Sequence, residues 1–247
     1  YWRDWSSDVC SSDLRKLAPN CRYYNAGSSE EFGDVVTVPQ DEKHPLRPRS
    51  PYGASKASAR HIVKVWRDSY KLFAIQGWLF NHEGTRRGIE FVTRKISYGV
   101  AKIKKSLDSK TQITPIYLGN LDSKRDWSDA EDFVDGVWKM LNHTEPKEYV
   151  LSSNETHTVR EFVELAFAAA GIEGIWMGKK GTIEEIFVEK ESKAVLVQIN
   201  PTFFRPAEVE LLLGDSTLAR KELGWVPQTS FFRLVKKMVE NDLENST

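Results

Sequence analysis

The 247-residue chain is short of several features that would place it in a function class at once. Its two cysteines, Cys10 and Cys21, are too few for a disulfide framework. It has no excess of one charge: 35 Lys and Arg balance 35 Asp and Glu. That leaves no broad basic field to hold DNA or RNA. No apolar run approaches the roughly 18 residues needed to cross a bilayer. No basic start followed by an apolar stretch reads as a signal peptide, so a cytoplasmic protein with no membrane or nucleic-acid partner is expected. There is no internal repeat of about 20–50 residues. G-x-S-x-G, a P-loop lysine and paired cysteines are all missing. His82-Glu83 opens like a zinc-binding H-E-x-x-H, but Arg86 stands in the fifth place, and no metal site is expected. No G-x-G-x-x-G precedes a helix anywhere.

What is present centres on Ser50-Pro51-Tyr52-Gly53-Ala54-Ser55-Lys56. Ser50 suits an N-cap, and Pro51 suits the first helical position, where a missing N–H costs nothing. Tyr52 and Lys56 are then one helical turn apart, on one face. A free tyrosine has a pKa of about 10 and is a poor base at neutral pH. An ammonium beside a phenol favours the phenolate. Such a pair can move a proton to or from a hydroxyl while a cofactor takes or gives hydride. On that spacing alone, an amphipathic helix with a surface Tyr and Lys is an equal reading.

The flanking strings decide between them. Tyr23-Tyr24-Asn25-Ala26-Gly27-Ser28-Ser29-Glu30-Glu31-Phe32-Gly33 lies upstream, and Trp78-Leu79-Phe80-Asn81-His82-Glu83-Gly84-Thr85-Arg86-Arg87-Gly88 downstream. With Pro48-Arg49-Ser50-Pro51-Tyr52, Phe91-Val92-Thr93-Arg94-Lys95, Leu118-Gly119-Asn120, Arg125-Asp126-Trp127 and Phe204-Arg205-Pro206-Ala207-Glu208-Val209 they form an ordered set. From about Leu14 onward the chain resembles the GDP-mannose 4,6-dehydratases, members of the extended short-chain dehydrogenase/reductases. The resemblance implies an α/β fold: the C-terminal part of a doubly wound Rossmann-type parallel sheet plus a smaller α/β substrate-binding domain. Residues 1–13 do not match and read as a run-in of foreign origin. Within 14–247, an NADP-domain remnant would interleave with a nucleotide-sugar-binding domain, mainly 81–127 and 150–247. In the family a glycine turn for the cofactor pyrophosphate lies near the N-terminus. Without it the chain alone is expected to bind NADP negligibly and to need an upstream portion for turnover. The absent strands would also leave Tyr23, Ile75 and Trp78 partly uncovered.

The resemblance further implies the chemistry and the residues that perform it. GDP-mannose would be oxidised at C4 with NADP as cofactor, deprotonated at C5, and would lose water from C6. Ser28, Glu30, Tyr52 and Lys56 would be catalytic. Ser28 stands where the family usually has Thr and keeps the hydroxyl. Glu30 would be the C5 base, with Glu31 as the rival carboxylate disfavoured by register. Tyr52, Lys56, His82 and Arg87 would touch the cofactor. Asn81, Val92, Lys95, Arg125, Arg205 and Glu208 would hold GDP-mannose. A homodimer or homotetramer would be the assembled form. A nucleotide-sugar reductase or epimerase, or an inactive nucleotide-sugar-binding fragment, are the alternatives.

Periodicity predicts the elements. Cys21–Ala26 and Phe73–Phe80 read as buried parallel strands. Ala54, Ser58, Ile62, Trp66 and Tyr70 form the expected core stripe of the first helix, with Val63 beside them. A helix is expected from about Gly88, and another over Asp129–Leu141 with Phe133, Val134, Val137, Trp138 and Leu141 inward. Glu148–Leu151 reads as a strand, Thr158–Glu161 as a capping box, and Ile186–Ile199 as a hairpin. Ser216–Leu223 and Ser230–Leu243 are the last expected helices.

Overall fold

The computed structural model describes residues 13–203 and 211–245. In chain order, β1 is Tyr23–Ser28, α1 Pro51–Tyr70, β2 Ala74–Leu79, β3 Asn81–Glu83, α2 Val92–Asp108 and β4 Ile116–Leu118. Next come β5 Lys124–Arg125, β6 Trp127–Asp129, α3 Ala130–Asn142, β7 Glu148–Leu151, β8 His157–Thr158 and α4 Val159–Ala169. β9 is Gly174–Met177, β10 Ile186–Glu189, β11 Val195–Ile199, α5 Thr217–Leu223 and α6 Phe231–Asn245. The chain forms two compact units. The first holds the described residues of 1–82, 126–156 and 211–228, the second those of 83–125, 157–210 and 229–247. No helix of the described residues is long and apolar enough to cross a membrane.

The first unit is built on a parallel sheet of order β1-β2-β7, with Tyr24 beside Ile75 and Gly77 beside Tyr149. Alternate strand residues face opposite sides. On one side Ala74 packs with Leu72, Tyr23 and Trp66 against Val63 of α1. On the other, Ile75, Tyr149 and Leu151 pack with Phe133 and Met140 of α3, Ala219 of α5, and Trp225. Helices on both faces of a parallel sheet make this a doubly wound Rossmann-type α/β arrangement. The β7 edge is closed by Glu42, whose Oε1 accepts the Val150 N–H at 2.8 Å. Among the described residues β1 pairs on one side only.

The second unit has a four-stranded sheet of order β4-β11-β10-β9. Its β10–β11 hairpin carries a register shift between Phe187 and Val188. Helices α2, α4 and α6 pack together, and Ile96, Val100, Phe162, Val163, Leu234, Val235 and Met238 on them are all buried. Thr158 caps α4, its side chain accepting the Glu161 N–H while Glu161 returns to the Thr158 N–H.

Three expectations are corrected. The inward face of α1 runs through Gly53, Ala57 and Val63, whereas Ala54, Ser58 and Tyr70 are exposed. The helix packs through small residues because β1 and the following turn approach it closely. On α3, Phe133, Gly136 and Met140 face inward, but Val134 and Trp138 are 69% and 63% exposed. The Gly53 and Gly136 faces reflect one cause: backbone and rings of neighbouring elements come too near for a larger stripe. Ile75 and Trp78 are not uncovered either. Both are buried, Ile75 under the Phe133–Trp225 cluster and Trp78 beside Phe32.

Candidate active site

The first unit brings the end of β1 to the start of α1. Ser50 Oγ accepts the Gly53 N–H at 3.0 Å and starts the helix. Gly53 lies so close to the turn after β1 that an added Cβ would sit 2.5 Å from the Glu30 carbonyl oxygen. One helical turn further on, Lys56 Nζ donates to the Ala26 carbonyl at 2.9 Å. The same ammonium lies 5.6 Å from the centroid of the Tyr52 ring. Tyr52 is 54% exposed. The Tyr52, Lys56, Ser28 and Glu30 positions are therefore held on two segments in direct contact.

Ser28 ends β1 and caps the 3-10 turn Ser29–Glu31. Its Oγ accepts the Glu30 N–H at 3.3 Å, which leaves its own proton free to donate. Glu30 is partly exposed, while Glu31 is fully buried. The two neighbouring carboxylates thus have separate surroundings. Glu31 accepts from Ser28 N–H at 2.9 Å, from Gln76 Nε2 at 3.3 Å and from Trp78 Nε1 at 2.8 Å. Burial pushes its carboxyl above the ordinary range, against the pull of the Ser28 and Trp78 donors and of the Arg60 and Lys56 charges. The reading of the sequence gave Glu31 no part beyond that of a disfavoured rival. The Ser28-x-x-Glu31 spacing is itself a capping-box pattern and was the available signal.

Beyond β2, Asn81 Oδ1 is buried without a hydrogen-bond partner, as a ligand-facing amide would be. His82 Nδ1 lies 2.9 Å from the Phe80 carbonyl, and its ring stacks on Phe133 at 5.3 Å between centroids.

The other expected residues that the structure describes belong to the second unit. Arg87 Nε lies 3.1 Å from Glu83 Oε2, in the alignment of an ion pair and not of a straight hydrogen bond. Its guanidinium also lies 3.5 Å from the Phe91 ring centroid. Val92 opens α2, whose N-cap residue Phe91 offers no side-chain bond. Lys95 lies one turn in, its ammonium 3.7 Å from the Phe203 ring centroid, and burial lowers its pKa. Arg125 sits on β5 opposite His157 and donates to the Lys124 carbonyl at 2.8 Å. Arg205 and Glu208 lie outside the described residues.

Asp126, in the first unit, was read only as part of a motif string. It is fully buried and accepts from Ser153 N–H at 2.8 Å and Ser153 Oγ at 2.7 Å. It also accepts from Asn154 N–H at 3.2 Å and Gly214 N–H at 3.4 Å. Burial nevertheless pushes its carboxyl up to about 6.

A family profile described as GDP-mannose 4,6 dehydratase matches residues 10–238. The GDP-mannose 4,6 dehydratase of Drosophila melanogaster is 47% identical over 228 residues, covering 92% of this chain and 56% of that protein. The human enzyme of that name is 45% identical over 92% of this chain and 59% of its own length. The Vibrio cholerae one is 41% identical over 93% of this chain and 62% of its own. The chain thus spans less than two thirds of these relatives. RMD from Pseudomonas aeruginosa, solved with NADPH, shares the fold at a TM-score of 0.79 and 19% identity, covering 97% of this chain and 72% of that one. A Bacillus anthracis dTDP-glucose 4,6-dehydratase solved with NAD does so at 0.75 and 19%, covering 97% and 67%. The chain belongs to the GDP-mannose 4,6 dehydratase family.

Proposed function

We propose that this family member removes water from GDP-mannose to form GDP-4-keto-6-deoxymannose, with NADP as cofactor. The observation that supports this best is the contact between the β1 turn and α1, where Lys56 reaches Ala26 and Gly53 rests on the Glu30 carbonyl. The residues present fit the nicotinamide end of such a cofactor. Lys56 uses one N–H on Ala26 and keeps two for ribose hydroxyls. Asn81 offers an unpartnered buried oxygen to the nucleotide sugar. When bound, NADP would supply a hydride acceptor for C4 and a hydride donor for C6.

Tyr52 takes the proton of the C4 hydroxyl, with the Lys56 charge beside its ring. The Ser28 hydroxyl donates to the same oxygen. The C4 ketone acidifies C5–H, and Glu30 removes that proton. Glu30 then protonates the C6 hydroxyl, which departs as water while a C5–C6 double bond forms. With bound NADP the hydride would return to C6, and Tyr52 holds the proton taken from O4 for delivery to C5. One water leaves in all. His82 and Arg87 serve the cofactor in this reading. Asn81, Val92, Lys95, Arg125, Arg205 and Glu208 serve the nucleotide sugar, the arginines through charged bonds to diphosphate. The first unit is then the cofactor domain and the second the sugar-nucleotide domain. A cytoplasmic homodimer or homotetramer is proposed on family membership alone.

The test is incubation with GDP-mannose and NADP, using the chain alone and the chain fused behind the glycine-turn segment of a curated relative. The 4-keto-6-deoxy product without net NADPH is expected. Net NADPH formation, epimerised sugar, or no product in either form overturns the proposal.

A further inference from the structure

The buried carboxylate of Glu31 does not touch solvent, and both of its oxygens are engaged by N–H donors. Ser28 N–H and Gln76 Nε2 meet Oε1, and Trp78 Nε1 meets Oε2. Gln76 in turn accepts from Asn25 on β1. The bond from Gln76 passes through space that a side chain at position 27 would fill. A Cβ on Gly27 would lie 2.0 Å from Gln76 Nε2 and 2.8 Å from Glu31 Oε1. Nothing about packing asks for a charge here, since an apolar side chain of like volume avoids the desolvation cost. What the carboxylate adds is geometry: it ties the Ser28 backbone, on β1, to two side chains of β2.

We infer that Glu31 is a positioning residue, which sets the poses of Ser28 and Glu30 by anchoring their turn to Gln76 and Trp78. The inference rests on the proposed roles of Ser28 and Glu30. Ser28 is the residue whose N–H is bound, so its hydroxyl direction follows the anchor. Glu30 immediately precedes Glu31, and its N–H is held by Ser28 Oγ. Glutamine cannot replace the carboxylate without loss. It offers one acceptor oxygen, and its amide would turn an N–H toward Trp78 or Ser28.

The test uses the 247-residue chain with Glu31→Gln and, as a milder second variant, Trp78→Phe, which keeps a ring and removes one donor. Hydrogen exchange is read at the Ser28 amide and the Trp78 indole, with β2 and α1 amides as references. In Glu31→Gln both sites should exchange at least about tenfold faster while the references keep their protection. In Trp78→Phe the Ser28 amide should speed up several-fold. Where a form of the chain turns over GDP-mannose, Glu31→Gln should lower kcat by about ten- to a hundredfold, with KM within about threefold. Unchanged Ser28 exchange in both variants overturns the inference. So does acceleration spread evenly over β2 and α1, which would make Glu31 a fold-holding residue only, and so does an unchanged kcat. If no form turns over GDP-mannose, the proposed activity fails, and the exchange pattern still decides whether Glu31 anchors the turn.

Discussion

At the scale of single residues, two neighbouring glutamates differ by environment and not by chemistry. Glu30 keeps contact with solvent, and Glu31 has none. In a form that turns over, Glu30→Gln is expected to lower kcat by roughly 10²- to 10⁴-fold. It should also abolish incorporation of solvent deuterium at C5, read by mass spectrometry of the product. Persistent label at C5 would mean that another base acts there. Tyr52→Phe is expected to cost a similar factor while leaving nucleotide-sugar affinity within about threefold. A large loss of affinity with kcat intact would instead make Tyr52 a binding residue.

At the scale of elements, close approach decides more than hydrophobic spacing. Because α1 meets the β1 turn through Gly53, Gly53→Ala must push the helix start off the Glu30 carbonyl. Such overpacking is expected to cost roughly 1–3 kcal/mol, readable as a lower urea midpoint. A midpoint at or above that of the parent would show that the contact is slack. On α3 the exposed Val134 and Trp138 form an apolar strip. Trp138→Lys is expected to reduce light scattering of the purified chain and to change stability by less than about 0.5 kcal/mol. A loss of several kcal/mol would place Trp138 in the core, where its spacing alone had put it.

At the scale of the whole molecule, the buried acids set an unusual pH response. Burial raises Glu31, Glu42, Glu83 and Asp126, the last from 3.8 to about 6. A raised carboxyl binds its proton more tightly in the folded chain. Its contribution is fully present below the unfolded value and is lost as pH rises through the folded one. For Asp126 that window runs from about 6 down to 3.8, and two pH units correspond to at most about 3 kcal/mol. Glu173, Glu185, Glu189 and Glu222 are lowered from 4.5, chiefly through hydrogen bonds and ion pairs that outweigh desolvation, and oppose the trend only at lower pH. Stability should therefore rise as pH falls from 7 to about 5. Asp126→Asn should flatten that slope. A urea midpoint that drops steadily from pH 7 to 5 would refute the assignment.

Much of this was legible in the residues themselves. Ser50-Pro51 announced the start of α1, Thr158–Glu161 that of α4, short apolar runs marked β2 and β7, and an apolar, β-branched stretch marked the β10–β11 hairpin. These signals are local: caps, propensities and turns act within one helical turn or one strand, so the chain states them without its neighbours. The pairing of Tyr52 with Lys56 was likewise written in a four-residue step. Which face of α1 and α3 is inward was not. That depends on how near β1, its turn and Trp225 come, and such distances exist only once the chain is folded. The division of labour between Glu30 and Glu31 is of the same kind. Side by side in sequence they are equivalent acids. Only packing against Gln76 and Trp78, some 45 residues away, removes one from water and leaves the other at the surface.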